Sequence, residues 1–348
     1  MREKISDGFC VLPFYGIEYP NKTPCCLLKK NYDLGQIRLD MLANKKPSAC
    51  KSCWSLESQN LVSDRQLKNS SVDYIWDRDI RAIEDDCHDG KFYINHYKID
   101  ISNICNAACV TCDRSLSSYW GSLEKSFFLK EISKQELDIM IDYHTAIVIN
   151  FRGGESLLAK SCFYVIEKLL EVGNTRCNLQ FTTNGSIKLN KNQTALLKQF
   201  QNVNFGVSID GTHNVFEYMR YPLKWNDINE NINHLQEIGH VSATPTLSNI
   251  NLLYFSNLIR WFENNSLNYN FNLVNEPSWF APNVLPLKVK KAILENEPHP
   301  VVVNCLTSHT VDNDINFEKA LEEIARQDAL KKIDIRTYLP EFCKLAGI

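Results

Sequence analysis

No stretch of this sequence approaches the ~20 consecutive apolar residues of a membrane-crossing helix. The opening residues, Met1-Arg-Glu-Lys-Ile-Ser-Asp-Gly, also lack the apolar core of a signal peptide. A cytoplasmic location is therefore expected. Charge of one sign is not in excess: 38 Lys and Arg face 41 Asp and Glu, a formal net charge of -3. That balance gives no electrostatic basis for nucleic-acid or membrane binding. Internal repeats, low-complexity tracts and basic runs are missing as well. What remains is ordinary for a globular chain, with 44% hydrophobic and 23% charged residues over 348 positions. This is enough for one large domain or two smaller ones.

Cysteine is the exception, with thirteen copies. Disulfides are rare in the cytosol, so clustered thiols there point to metal or catalysis. The densest cluster is Cys105-Asn-Ala-Ala-Cys109-Val-Thr-Cys112. It follows the alternating run from Tyr97 to Ser102, in which Ile99 and Ile101 mark a strand. Thiolates are the usual ligands of iron–sulfur clusters, and a cubane normally takes four. Three thiols would leave one iron open, and an open coordination position is where a metal centre does chemistry. A zinc site or a set of core cysteines is the alternative.

Cysteines also crowd the first ninety residues: Phe9-Cys10-Val-Leu-Pro-Phe, Pro24-Cys25-Cys26 and Cys50-Lys-Ser-Cys53. Five thiols compete for four positions, and spacing cannot separate the adjacent pair. Cys26 is taken as the ligand beside Cys10, Cys50 and Cys53, with closed zinc as the alternative. Cys87, Cys162, Cys177, Cys305 and Cys343 stand alone and read as small buried hydrophobes. Asp85-Asp-Cys-His-Asp89 reads as a solvated acidic turn.

From residue 97 the pattern alternates. Strands are expected at 97–102, 146–151, 178–183, 204–209, 241–247 and 269–274, with helices between them. Such alternation implies an α/β fold, a parallel sheet with helices outside it, whose ligands sit at the C-terminal strand ends. Polar glycine turns fall at those ends: Gly153-Gly154-Glu155, Thr183-Asn184-Gly185 and Ser208-Ile-Asp210-Gly211, the last followed by Arg220. Three segments are outlined: 1–92, cysteine-rich; 93–280, the alternating region; and 281–348, a loop and helices. In the last, Ile315, Phe317, Leu321, Ile324 and Leu330 form an apolar stripe.

The CxxxCxxC loop, followed after the next strand by Gly-Gly-Glu, resembles the signature of radical S-adenosylmethionine (SAM) enzymes. The resemblance implies a partial (β/α)6 barrel and a 4Fe–4S cluster whose open iron chelates SAM. It also implies contacts from Gly153, Gly154 and Glu155 to the SAM amino group, from Arg220 to its carboxylate and from Ser208, with Asn184 and Asp210 as further candidates. Thr111 stands where many relatives carry an adenine-packing aromatic, for which Tyr119 or Trp120 could compensate. The N-terminal cysteines look like the auxiliary-cluster segment of twitch-type (shortened SPASM) relatives, here placed before the barrel. That implies a second 4Fe–4S cluster at Cys10, Cys26, Cys50 and Cys53. The implied reaction is hydrogen abstraction by a 5′-deoxyadenosyl radical, with flavodoxin or ferredoxin as electron donor. The implied substrate is a peptide or protein side chain to be oxidised or cross-linked. Alternatives are dehydrogenation or epimerisation of a carbohydrate or nucleotide-linked molecule, or a non-catalytic zinc or electron-transfer protein.

Overall fold

Alternation of apolar and polar residues gives each strand one buried face and one polar face. The computed structural model of the chain describes residues 5–25, 27–28, 32–58, 62–274, 276–297, 299–307 and 314–348. Cys26 lies outside the described residues. Seven strands form one wholly parallel sheet in chain order, apart from the two short strands given below. They are β1 (Gly16–Tyr19), β2 (His96–Ser102), β3 (Val148–Gly153), β4 (Asn178–Thr183), β5 (Val203–Val207), β6 (His240–Ala243) and β8 (Asn268–Tyr269). A separate pair, β7 (Thr246–Leu247) and β9 (Asn272–Leu273), continues past the ends of β6 and β8.

Two expected strands are thus broken. The run 241–247 splits at Thr244-Pro245, where proline has no N–H to give to a ladder. The run 269–274 splits at Asn270-Phe271. Added to the six expected strands is β1, from the cysteine-rich segment, paired to β2 with Glu18 opposite Lys98.

On one face, Ile99, Ile149, Phe151, Leu179, Phe181, Phe205 and Val207 are buried in a core shared with the outer helices. Phe151, Phe181 and Phe205 stack in series with centroids 5.2 Å apart. The other face is polar. Glu18, Lys98, Asn150, Gln180 and Asn204 lie side by side in register across five strands. Helices cover the apolar face, so the polar rows line the inside of the partial barrel.

The N-terminal segment has its own core of Phe9, Val11, Leu12, Phe14, Ile37, Met41, Val72, Trp76 and Ile83. Residues 85–88, expected as a solvated turn, close the helix Ile80–His88, and Cys87 is buried. The reason is spacing: Ile80, Ile83 and Cys87 share one helical face. Cys162, Cys177 and Cys343 are buried as expected, whereas Cys305 is half-buried. In the helix Asp314–Lys331, Phe317 and Ile324 are buried and Leu321 and Leu330 are partly so, but polar Gln327, Asp328 and Lys331 are buried beside them. The aromatic loop before the helix Leu287–Asn296 packs as a cover, with Phe280, Pro282 and Val284 buried.

Candidate cofactor site at the C-terminal strand ends

The cysteine loop leaves β2 and is held from three sides. Backbone N–H groups of Ala108 and Val110 donate to Tyr221 O and Met219 O, at 2.7 and 2.9 Å. Ser118 Oγ accepts from the Cys105 N–H at 3.0 Å. The Trp120 indole donates to Cys109 O at 2.9 Å. Trp120 is only 1% exposed and lies behind the loop. It therefore supports the cysteine loop, and Tyr119 sits edge-on to Tyr221.

Gly153 and Gly154 are required by the cysteine loop itself. The Gly154 N–H donates to Ser102 O at 2.8 Å, and the Glu155 N–H to Ile104 O at 2.7 Å. A Cβ on either glycine would stand 2.3 Å from the Ser102 or Ile104 carbonyl oxygen, inside any real contact distance. Gly153 also has φ +116°, which side chains rarely adopt.

Glu155 is fully buried. Its Oε1 accepts from the Thr183 hydroxyl at 2.7 Å and from Leu157 N at 3.1 Å, and its Oε2 accepts from Asn184 N at 2.7 Å. Burial raises its pKa, while the donors from Asn184 and Thr183 oppose the shift. Asn184 in turn donates to Asn106 Oδ1 at 2.8 Å, and Asn106 donates to Ser186 Oγ at 2.9 Å. Asn106, between two cluster cysteines, thus ties the loop to the turn after β4. Nothing in sequence distinguishes it except that position.

Asp210 and Arg220 form a buried ion pair, Nε to Oδ2 at 2.6 Å. Asp210 Oδ1 also accepts from the Thr246 N–H at 2.7 Å. Arg220 Nη1 lies 3.5 Å from Cys109 Sγ. Burial opposes the guanidinium charge, but Asp210 and then Cys109 more than offset it. Ser208 is half-buried, its N–H donating to Thr183 O at 2.9 Å.

The donor set suits a cluster. Cys105, Cys109 and Cys112 are free thiols. Burial, then the neighbouring Cys109, pushes Cys105 up to about 12, and Cys112 rises for the same reasons with Cys105 contributing. Such mutual influence puts the three in one electrostatic neighbourhood. Among the described residues, no three His, Cys, Asp or Glu converge closely enough to hold a single metal ion. The same kind of neighbourhood joins Cys10 to Cys25, Cys50 and Cys53; burial, then these thiols, raises the Cys10 pKa. The backbone around Cys10 is clamped: Arg65 Nη1 and Asn69 Nδ2 donate to Phe9 O at 2.7 and 2.9 Å. Arg65 is itself paired with Glu57 at 2.8 Å.

No family model matches the chain. Among curated proteins, an uncharacterized protein of Methanocaldococcus jannaschii is 28% identical over 123 residues, covering 34% of this chain and 39% of that protein. Among solved structures, native anSMEcpe with bound AdoMet is 16% identical, with a TM-score of 0.45 and coverage of 62% of both chains. Streptococcus suis SuiB bound to precursor peptide SuiA is 8% identical at the same TM-score, covering 76% of this chain and 62% of that one. The chain thus spans less than two thirds of each of these proteins. The chain's own geometry is what these likenesses leave to interpret: a CxxxCxxC loop following the strand His96–Ser102, a Gly-Gly-Glu turn seated against that loop, and a parallel sheet that gathers both at one rim.

Proposed function

We propose that this chain is a SAM-cleaving radical enzyme acting on a peptide or protein side chain. Cys105, Cys109 and Cys112 would hold three irons of a 4Fe–4S cluster, with the fourth iron left for SAM. The observation carrying this reading is the seat of the Gly153-Gly154 backbone against Ser102 and Ile104, which joins the thiol loop to the turn that would hold the SAM amino group. A bound cluster and SAM would supply reductive carbon–sulfur cleavage, with flavodoxin or ferredoxin as the proposed electron donor.

The chain's own residues orient and enclose. Glu155, through Thr183 and Asn184, locks the Gly-Gly turn. Asp210 fixes the fork of Arg220, whose guanidinium suits a carboxylate such as that of SAM. Ser208 and Asn184 stand on the same rim. The polar rows inside the barrel offer substrate contacts. Asn150 Oδ1 and the Thr244 hydroxyl are buried there without a hydrogen-bond partner among the described residues.

Cys10, Cys50 and Cys53, with Cys25 or Cys26, would bind the auxiliary 4Fe–4S cluster, which could take the substrate's electron. Resemblance of this segment to twitch-type proteins supports the peptide reading, as these relatives often modify peptides. The uncharged amides Asn150, Gln180 and Asn204 favour the second reading, a hydroxyl-rich carbohydrate or nucleotide-linked substrate. Anaerobic reconstitution tests the class. Roughly eight iron and eight sulfide per chain, two cubanes, with 5′-deoxyadenosine formed on reduction with SAM, is the expected result. Bound zinc without SAM cleavage would overturn it in favour of a binding protein.

A further inference from the structure

Lys331 closes the helix Asp314–Lys331 and is 3% exposed. Its Nζ donates to the neutral amide of Gln327, Oε1 at 3.0 Å, and lies 4.8 Å from the centroid of the Trp120 ring. Nearby carboxylates are engaged elsewhere. Glu323 pairs with Arg326 at 2.7 Å, and Asp328 accepts from the Tyr218 hydroxyl and the Ile335 N–H. Among the described residues this buried ammonium has no ion-pair partner, which is costly. The C-terminal end of its helix offsets part of that cost, at about 0.3–2 kcal/mol. Burial still wins, holding Lys331 down to about 8.

Both supports of this ammonium grip the thiol loop. The Trp120 indole donates to Cys109 O, and Gln327 Nε2 donates to Val110 O at 2.9 Å. The other cation at Cys109, Arg220, is already neutralised by Asp210. A cubane held by three thiolates is anionic, and its potential follows net charge and hydrogen bonding around it.

We propose that Lys331 is the resident counter-charge of the three-cysteine cluster and raises its reduction potential, as a positioning residue outside the ligand set. This rests on the cluster reading above. When the cluster takes one electron from its donor, its negative charge grows, and the fixed ammonium beneath the loop favours that state.

The test uses full-length protein, reconstituted anaerobically, as wild type, Lys331→Met and Lys331→Arg. Potentiometric titration without SAM, followed by electron paramagnetic resonance, reads the couple. The Met variant is expected to shift the reduced-to-oxidised ratio at least tenfold towards oxidised, about 59 mV for one electron, and the Arg variant to stay near wild type. Iron-free Lys331→Met is expected to melt above iron-free wild type, an advantage that disappears on loading. Equal potentials in loaded wild type and Met variant would overturn the proposal. If the Met variant takes up no cluster, the iron-free melt decides, a lower melting temperature than wild type overturning it. A wild type that assembles no cluster would sink the functional reading instead.

Discussion

Gly154 and Ile104 touch so closely that a Cβ on the glycine would lie 2.3 Å from the Ile104 carbonyl oxygen. The obstacle is backbone, so it cannot swing aside. Gly154→Ala must therefore push the β3 turn away from the cysteine loop, at an overpacking cost of about 1–3 kcal/mol. The sheet core lies on the opposite side and should survive. The expected outcome is a folded protein with a lowered melting temperature that retains less iron at the triad, measured by circular dichroism and iron analysis. Unchanged iron content would show that the turn does not set the loop.

Glu155 spans two strand ends, so its loss should be felt at both. Glu155→Ala strands the Thr183 hydroxyl and the Asn184 N–H, both buried. An unsatisfied buried donor costs about 1–3 kcal/mol. Denaturant titration of the iron-free protein should show a loss in that range for each donor. Glu155→Gln should lose less, because its carbonyl oxygen still accepts.

Where local pattern decides the structure, it was readable. The strand 178–183 and the helix Leu287–Asn296 follow from periodicity alone, and the three thiols fall just past the strand that Ile99 and Ile101 mark. What escaped depends on distant partners. The run Gly16–Tyr19 has four residues, too few to show a period, and becomes a strand because β2 offers an edge. Gln327 and Lys331 look like a solvated helix face until Val110 and Trp120 are brought beneath them. Asp210 reads as turn material, yet its carboxylate is consumed by Arg220, ten residues on. Periodicity reports which face is buried, not which polar groups will be buried with it.

Buried thiols give the iron-free protein a distinct alkaline weakness. Burial lifts Cys50 to about 11, and Cys87 and Cys105 to about 12, from an ordinary 9.0. Raised folded values mean that the folded chain keeps protons which the unfolded chain gives up. Their contribution to stability is therefore full below pH 9 and is lost as pH climbs through 11–12. Iron-free protein should lose stability between about pH 9 and 11, as measured by urea titration at several pH values. Loaded protein would hold Cys50 and Cys105 as thiolates already, leaving Cys87, Cys162 and Cys177 among the buried thiols that still contribute there. Cys87→Ala in the loaded form should then lessen, without abolishing, what remains of the slope.

Glu18 carries the charge that fastens the N-terminal segment to the sheet. Its carboxylate meets Lys98 Nζ at 2.8 Å and Arg152 Nη2 at 3.6 Å, with Glu18 only 3% exposed. Arg152 is also held by Asp100 at 3.1 Å and sits directly before Gly153. Removing one member of a buried pair costs about 3–5 kcal/mol. The two cations should not be equivalent, however. Lys98→Met leaves Glu18 facing Arg152, whereas Glu18→Gln removes the anion from both cations at once. Glu18→Gln is therefore expected to destabilise more than Lys98→Met in denaturant titration. Limited proteolysis should cut first near β1, since that strand has lost its ionic tie while β2 to β6 keep their ladders. Equal losses in the two variants would mean that Arg152 does not share the Glu18 charge and that the Lys98 pair alone supplies the ionic tie.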